Sequence, residues 1–205
     1  MWSGSLPEPV VRTAEEREEV LREFRDSGAL LHGHFILSSG RHSPVYLQCA
    51  RVLMDPGRAE RLVAPLVEPA RRFGAALVAA PALGGIIFGY ELARQLGLPF
   101  LFAERVEGRF QLRRGFTIPS GAPVVIAEDV VTTGLSTREC IACVREAGGR
   151  PVGAVCLVDR SGGRAEVGVP LVALIELDLP TYEPEALPPE LAAIPPEKPG
   201  SRGLA

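Results

Sequence analysis

The sequence predicts an α/β fold, a mostly parallel sheet with helices on both faces, and three observations lead there. Short apolar runs recur at 76–80, 100–103, 124–127, 154–158 and 171–175, each of a length and composition that suits a strand buried on both faces. Between them lie longer, helix-like segments at 84–96 and 135–147, which end in Gly97 and in Gly148-Gly149, the residue type that helix C-termini favour. Strand, helix and strand alternating in this way pack as a parallel sheet covered on both sides. Ligands of such sheets bind at the carboxyl ends of the strands.

The other elements follow in chain order. Thr13 and Glu16 have the spacing of a capping box, and Val20, Leu21 and Phe24 continue at helical spacing until Asp26-Ser27-Gly28 stops them, so an amphipathic first helix is expected. Residues 33–56 alternate Gly, Ser and Pro with short apolar pairs, which reads as extended chain and turns. Residues 1–56 are thus expected to supply the first helix and a small N-terminal hood over the core. Residues 57–73 look helical, although Pro65 and Pro69 should kink or interrupt the element. A single domain is expected through residue 179, followed by a Pro- and Glu-rich tail, 180–205, that is irregular or partly mobile. No internal repeat is present.

Composition sets limits on function. A chain of 205 residues, 46% apolar, can bury one sizeable core. Its longest apolar stretches, 77–83 and 171–177, are far shorter than the roughly 20 residues of a membrane helix. The N-terminus has no basic patch followed by an apolar run, so a cytoplasmic protein is expected. Cys49, Cys140, Cys143 and Cys156 read as core thiols; Cys140 and Cys143 form a CxxC within a helix-like stretch, where i and i+3 share a face, and no second ligand pair follows. His32, His34 and His42 read as surface or hood residues rather than metal ligands, with His32 and His34 expected to point to the same side of an extended chain. The net charge of -3, with no basic run beyond Arg71-Arg72 and Arg113-Arg114, gives no reason to expect a nucleic-acid partner. Any anion site must be local.

Residues 124–137 carry the chemistry. An apolar strand runs into Glu128-Asp129, then Val130-Val131, then the hydroxyl-rich turn Thr132-Thr133-Gly134 that opens a helix at Leu135-Ser136-Thr137. Backbone N–H groups of such a turn and of the helix N-terminus offer an anion site, and the hydroxyls of Thr132, Thr133, Ser136 and Thr137 add donors. Two carboxylates just before it can accept hydrogen bonds from vicinal ribose hydroxyls or hold Mg2+ through water. An ordinary helix cap explains the hydroxyls but not the acidic pair. A phosphorylated sugar satisfies both halves.

The stretch resembles the signature by which type I phosphoribosyltransferases bind phosphoribosyl pyrophosphate (PRPP): an apolar strand, an acidic pair and a phosphate turn in fixed order. The resemblance implies the fold of that family, a central mostly parallel sheet flanked by helices with a small N-terminal hood. It also implies that Glu128, Asp129, Val130, Val131, Thr132, Thr133, Gly134, Leu135 and Ser136 bind PRPP, the acidic pair facing the ribose 2- and 3-hydroxyls and residues 132–137 the 5-phosphate.

Further stretches resemble the orotate branch in particular. Residues 35–46 are similar to the segment lining its base site, which implies Tyr46 near the orotate ring. Residues 81–86 match its pyrophosphate loop, with Gly84 among small residues that let backbone amides approach an anion. Residues 102–116 resemble its mobile catalytic loop, which in the family reaches into the partner subunit's site and here carries Arg105, with Gly108 and Gly115 as hinges. Val158-Asp159-Arg160 matches the strand end whose arginine holds the orotate carboxylate, and Thr132 joins Arg160 and Tyr46 in the implied base site. A planar guanidinium and a carboxylate make two parallel hydrogen bonds, which suits an anionic base. The chain departs from many orotate enzymes at Ser38 and at Gly84, where they carry lysines, so pyrophosphate must rely on Arg105, on backbone amides, or on Arg109, Arg113 and Arg114.

The implied reaction is a displacement at ribose C1 with Mg2+ as cofactor, PRPP and orotate as substrates, and Arg105, Asp129 and Glu128 as the catalytic set. The implied assembly is a homodimer with shared sites. Two other readings stay open from sequence alone: transfer to another base such as a purine, and a non-catalytic PRPP-sensing regulator that binds nucleic acid. Substrate choice separates the first, and a mobility-shift assay the second.

Overall fold

The structure, a computed structural model, describes residues 9–37 and 40–199; Ser38, one of the two departures above, lies outside the described residues. Helix α1 (Ala14–Asp26) starts where the capping box placed it. Thr13 Oγ1 accepts from Glu16 N at 3.1 Å and the Glu16 carboxylate accepts from Thr13 N at 3.0 Å, an arrangement worth about 1 kcal/mol. Val20 and Phe24 are its buried residues.

Strands β1 (Leu30–Ile36) and β2 (His42–Leu47) pair antiparallel as a hairpin, the hood. The register shifts between His32 and Phe35. That irregularity overturns the expectation that His32 and His34 share a side: His32 is exposed and His34 buried. Helix α2 (Cys49–Leu53) leads into α3 (Pro56–Arg71), capped by Asp55, whose side chain accepts from Arg58 N. Pro65 and Pro69 do not interrupt α3. They stand four residues apart outside the buried stripe of Leu62, Val63, Leu66 and Ala70, so packing of that stripe outweighs the missing N–H groups.

A six-stranded sheet forms the centre, in the order β5-β4-β3-β6-β7-β8. Strands β3 (Leu77–Pro81), β4 (Phe100–Val106), β6 (Pro123–Val131), β7 (Arg150–Asp159) and β8 (Leu171–Glu176) are parallel, and β5 (Arg109–Leu112) is the antiparallel edge. Alternation within the buried runs feeds two cores. Val78, Ala80, Val125, Ala127, Val155 and Leu157 pack with α1, α2, α3 and α4 (Gly84–Leu96). Leu77, Ala79, Val124 and Ile126 pack with Cys140, Ile141, Cys143 and Val144 of α5 (Leu135–Glu146). All four cysteines are buried free thiols, and Cys140 and Cys143 lie on the buried face of α5. No helix among the described residues is long and apolar enough to cross a membrane.

Residues 104–112, part of the segment expected to be a mobile loop, continue β4 through a tight turn into β5. Glu107 (φ 47°) and Gly108 (φ 84°) both take positive φ, as a two-residue hairpin turn between right-twisted strands requires. Buried Phe110 between exposed Arg109 and Gln111 supplies the strand alternation.

The segment after residue 179 is largely irregular but is fastened to the hood. Ser43 Oγ donates to Pro180 O at 2.9 Å, Arg41 binds Thr181 and pairs with Glu183, and His42 and Tyr182 exchange two backbone hydrogen bonds. After a 3-10 turn (Pro184–Ala186) and a short helix α6 (Pro189–Ala192), Glu197 N donates to His34 O and Ile36 N to Glu197 O. The chain end therefore borders both hood strands. His34 Nδ1 must donate to Ile194 O (2.7 Å), which leaves its Nε2 to accept from His42 Nδ1 (2.5 Å).

Candidate active site

The strand order reverses direction between β3 and β6: the chain steps from β3 outward to β4, then returns to lay β6 on the other side of β3. Connections leaving the carboxyl ends of β3 and β6 thus diverge and open a crevice there. Gly84 and the acidic pair meet in it. A Cβ on Gly84 would lie 2.8 and 2.9 Å from the two carboxylate oxygens of Asp129. Only glycine permits this approach, so a lysine here would require Asp129 to move. Gly85, behind it, would meet the Ala127 carbonyl at 2.9 Å, which lets α4 start directly against β6. The Ala82–Leu83 peptide just before them is cis.

Glu128 is 7% exposed and Asp129 partly buried, and the two carboxyl groups lie within electrostatic reach of each other. Burial pushes the proton affinity of both upward, Glu128 well above the usual carboxylate range, and the charge on Asp129 raises Glu128 further. No cation is paired with either among the described residues. Val130 N donates to Asp129 at 2.9 Å. The hydroxyl of Thr137, 1% exposed, turns inward toward Glu128 at 3.5 Å. Thr137 therefore faces the carboxylate, not an anion in the turn, which corrects its expected place among the hydroxyl donors.

The turn itself is open. Thr132, Thr133, Leu135 and Ser136 are exposed, and Gly134, in the left-handed region at φ 72°, caps α5. Leu135 N donates to Thr133 Oγ1 at 3.4 Å, while the amides of Gly134, Ser136 and Thr137 have no protein acceptor among the described residues. Those free donors and the positive end of α5 make an anion cradle. A cleft of about 280 Å3 borders it, lined by Thr132, Thr133, Ser161, Arg164 and Ala165. Ser161 and Arg164 were not singled out from sequence: they stand in a Gly-rich loop with no periodic or motif signal.

Arg160 follows the end of β7 and donates its backbone N–H to Val131 O at 2.8 Å, which sets it beside the start of the turn. Its side chain is half-buried, and Nε is buried with no hydrogen-bond partner among the described residues. Burial weakens its hold on the proton. Tyr46 of the hood comes within electrostatic reach: its hydroxyl is shifted upward by burial and then by the charge of Asp129, with Arg160 opposing. The Tyr46 ring lies 5.7 Å from that of Phe35. Tyr46 thus lies within electrostatic reach of both Asp129 and Arg160.

Arg105 is not brought to that space. Its guanidinium pairs with Glu139 of α5, donates to Gly108 O at 2.5 Å and lies 4.2 Å above the Phe110 ring. Arg109 and Arg114 pair with Glu146 and Glu104.

Comparison with known proteins agrees with this geometry. The phosphoribosyl transferase domain family matches residues 70–178. A protein of Methylorubrum populi named orotate phosphoribosyltransferase is 60% identical over 190 residues, covering 91% of this chain and 97% of the relative. One of the same name from Caulobacter vibrioides is 57% identical over 189 residues, covering 91% and 97%. Among solved structures, orotate phosphoribosyltransferase from Aeropyrum pernix superimposes with a TM-score of 0.64 at 31% identity, covering 77% of this chain and 93% of that one. Leishmania donovani UMP synthase gives a TM-score of 0.69 at 25% identity, covering 80% of this chain and 37% of that one.

Proposed function

This chain belongs to the orotate phosphoribosyltransferase family, and we propose on that footing that it joins orotate to the ribose 5-phosphate of PRPP, releasing pyrophosphate and orotidine 5-monophosphate. The observation that carries the choice of base is Arg160, a half-buried guanidinium whose Nε has no acceptor among the described residues. Burying such a group is costly unless something pairs with it. A flat base bearing a carboxylate supplies that partner.

Cleft and cradle suggest the remaining roles. The amides of Gly134 and Ser136, with the hydroxyls of Thr132, Thr133 and Ser136, hold the 5-phosphate. Glu128 and Asp129 face the ribose hydroxyls and favour positive charge as it develops on the ring. Orotate N1, held by Arg160, Tyr46 and Thr132, attacks C1 as the C1–O bond to pyrophosphate breaks, and pyrophosphate leaves with that electron pair. Positioning and charge stabilisation do most of this work. The acidic pair also fits Mg2+: its donors are hard oxygens with no protein cation against them among the described residues, and a magnesium ion there would rely on water and substrate oxygens for its other ligands. When bound, Mg2+ supplies neutralisation of the leaving pyrophosphate.

We assign Arg105 to the pyrophosphate of a partner subunit, reached when its pairing with Glu139 opens. A homodimer is supported by an apolar stripe at the start of α4, Leu83 (77% exposed), Ile87 and Tyr90 (62%), which recurs at helical spacing, and by exposed Met54 at the end of α2. Sedimentation should give about twice the 21.9 kDa of one chain; a monomer at micromolar concentration, active at full rate, would end the shared-site proposal.

The decisive assay mixes the protein with PRPP, Mg2+ and orotate and follows the orotate absorbance, with uracil and purine bases in parallel. Loss of absorbance with orotate alone is expected. Turnover of a purine base in its place would overturn the assignment.

A further inference from the structure

We propose that Arg164 is a further binding residue for the sugar 5-phosphate, forming the second wall of the cradle; the inference rests on the function proposed above. The loop after β7 is built against the phosphate turn. Asp159, 2% exposed, accepts from Ser161 N at 2.7 Å and from Gly163 N at 3.2 Å, and Ser161 Oγ accepts from Ala165 N at 2.8 Å. Arg138 of α5 clamps the two segments together by donating to Thr133 O at 2.8 Å and to Glu166 O at 2.9 Å. Val167 closes the seam, its Cγ1 lying 2.8 Å from where a Cβ on Gly134 would stand. The loop and the turn therefore form one surface, and the cleft between them has a defined shape.

Its lining is the second observation. Three hydroxyls, from Thr132, Thr133 and Ser161, and one guanidinium face the cleft, and no carboxylate does. Arg164 has no hydrogen bond or ion pair among the described residues. Its neighbours differ: Arg138 is committed to two carbonyls and Arg105 to Glu139. A set of donors with one unspent fork-shaped cation suits a phosphate dianion, which accepts from several directions at once. Arg160, aimed at the base, and Arg164, aimed at the phosphate, would then grip the nucleotide at its two ends.

The test compares wild type, Arg164→Ala and Arg164→Lys in steady state, and titrates each with inorganic phosphate by calorimetry. Arg164→Ala should raise the KM for PRPP about tenfold, the loss of one charge-assisted pair, weaken phosphate binding by the same factor, and leave kcat and the KM for orotate within about twofold. Arg164→Lys should recover part of the loss, because charge remains while the fork is gone. An unchanged PRPP KM and phosphate affinity in Arg164→Ala overturns this inference and leaves the family function standing. A rise confined to the KM for orotate overturns it too, by placing the guanidinium at the base. Wild type that neither consumes orotate nor binds phosphate overturns both. Because Arg164 is exposed, its variants should melt as wild type does.

Discussion

Glu128→Gln and Asp129→Asn should each give a protein that is more heat-resistant than wild type at pH 8 and slower by roughly 10²- to 10³-fold, the loss expected when groups that stabilise developing charge are neutralised. The sign follows from burial. Both carboxyls hold their protons more tightly in the folded chain than in the unfolded one. Below the ordinary carboxylate pKa of about 4 both states are protonated, and the wild type loses nothing. As pH rises, the unfolded chain releases its protons first, so the native state is progressively disfavoured until its own raised pKa values are passed. The amides do not titrate, and they can still accept from Thr137 and Val130. The gap in melting temperature between variant and wild type should therefore be small at pH 4 and widest in the alkaline range. A gap that stays constant with pH, or amide variants that melt lower throughout, would show that the pair is not strained by its burial. Keeping two carboxyl groups side by side with burial this strong gives up stability at that point of the fold.

Arg160→Ala should raise the KM for orotate by about 30- to 100-fold, the scale of a charge-assisted bidentate pair lost from a partly buried site. The KM for PRPP should move by less than about threefold, since the phosphate cradle is made by other residues. Arg160→Lys should restore little, because an ammonium group cannot match the planar fork. Stability should not fall, because the Nε being removed has no partner to abandon among the described residues. The measurement is a pair of saturation curves, one in each substrate. Equal losses in both would mean that Arg160 organises the crevice as a whole and does not bind the carboxylate.

Much of this molecule was legible in its sequence because its central elements are locally encoded. The buried runs 124–127 and 154–158 are β-rich and bounded by turns, and the Thr13 capping box marks a helix start to the residue. The acidic pair and the turn after it are contiguous, so their joint placement at the end of β6 needed no tertiary knowledge. What was not legible depends on contacts distant in sequence or on direction. Helix α3 passes through two prolines because of what packs beneath it. Thr137 turns toward Glu128 because the first helical turn rotates it inward, away from the neighbouring Ser136. Resemblance to a mobile loop concealed the Phe110 alternation that makes β5 a strand. Arg164 stands in an irregular Gly-rich loop, and its place shows only against the turn beside it. The attachment of the chain end joins residues some 140 apart, such as Ser43 and Pro180, for which no local pattern exists.

That attachment has a consequence for how the protein is made. During translation the hairpin of β1 and β2 emerges early, but its outer backbone groups and the His34 ring find their acceptors and donors only when residues 180–197 leave the ribosome. The sheet can close beforehand, since β8 ends at Glu176. The hairpin that carries Tyr46 is therefore the last element to gain its full set of backbone partners.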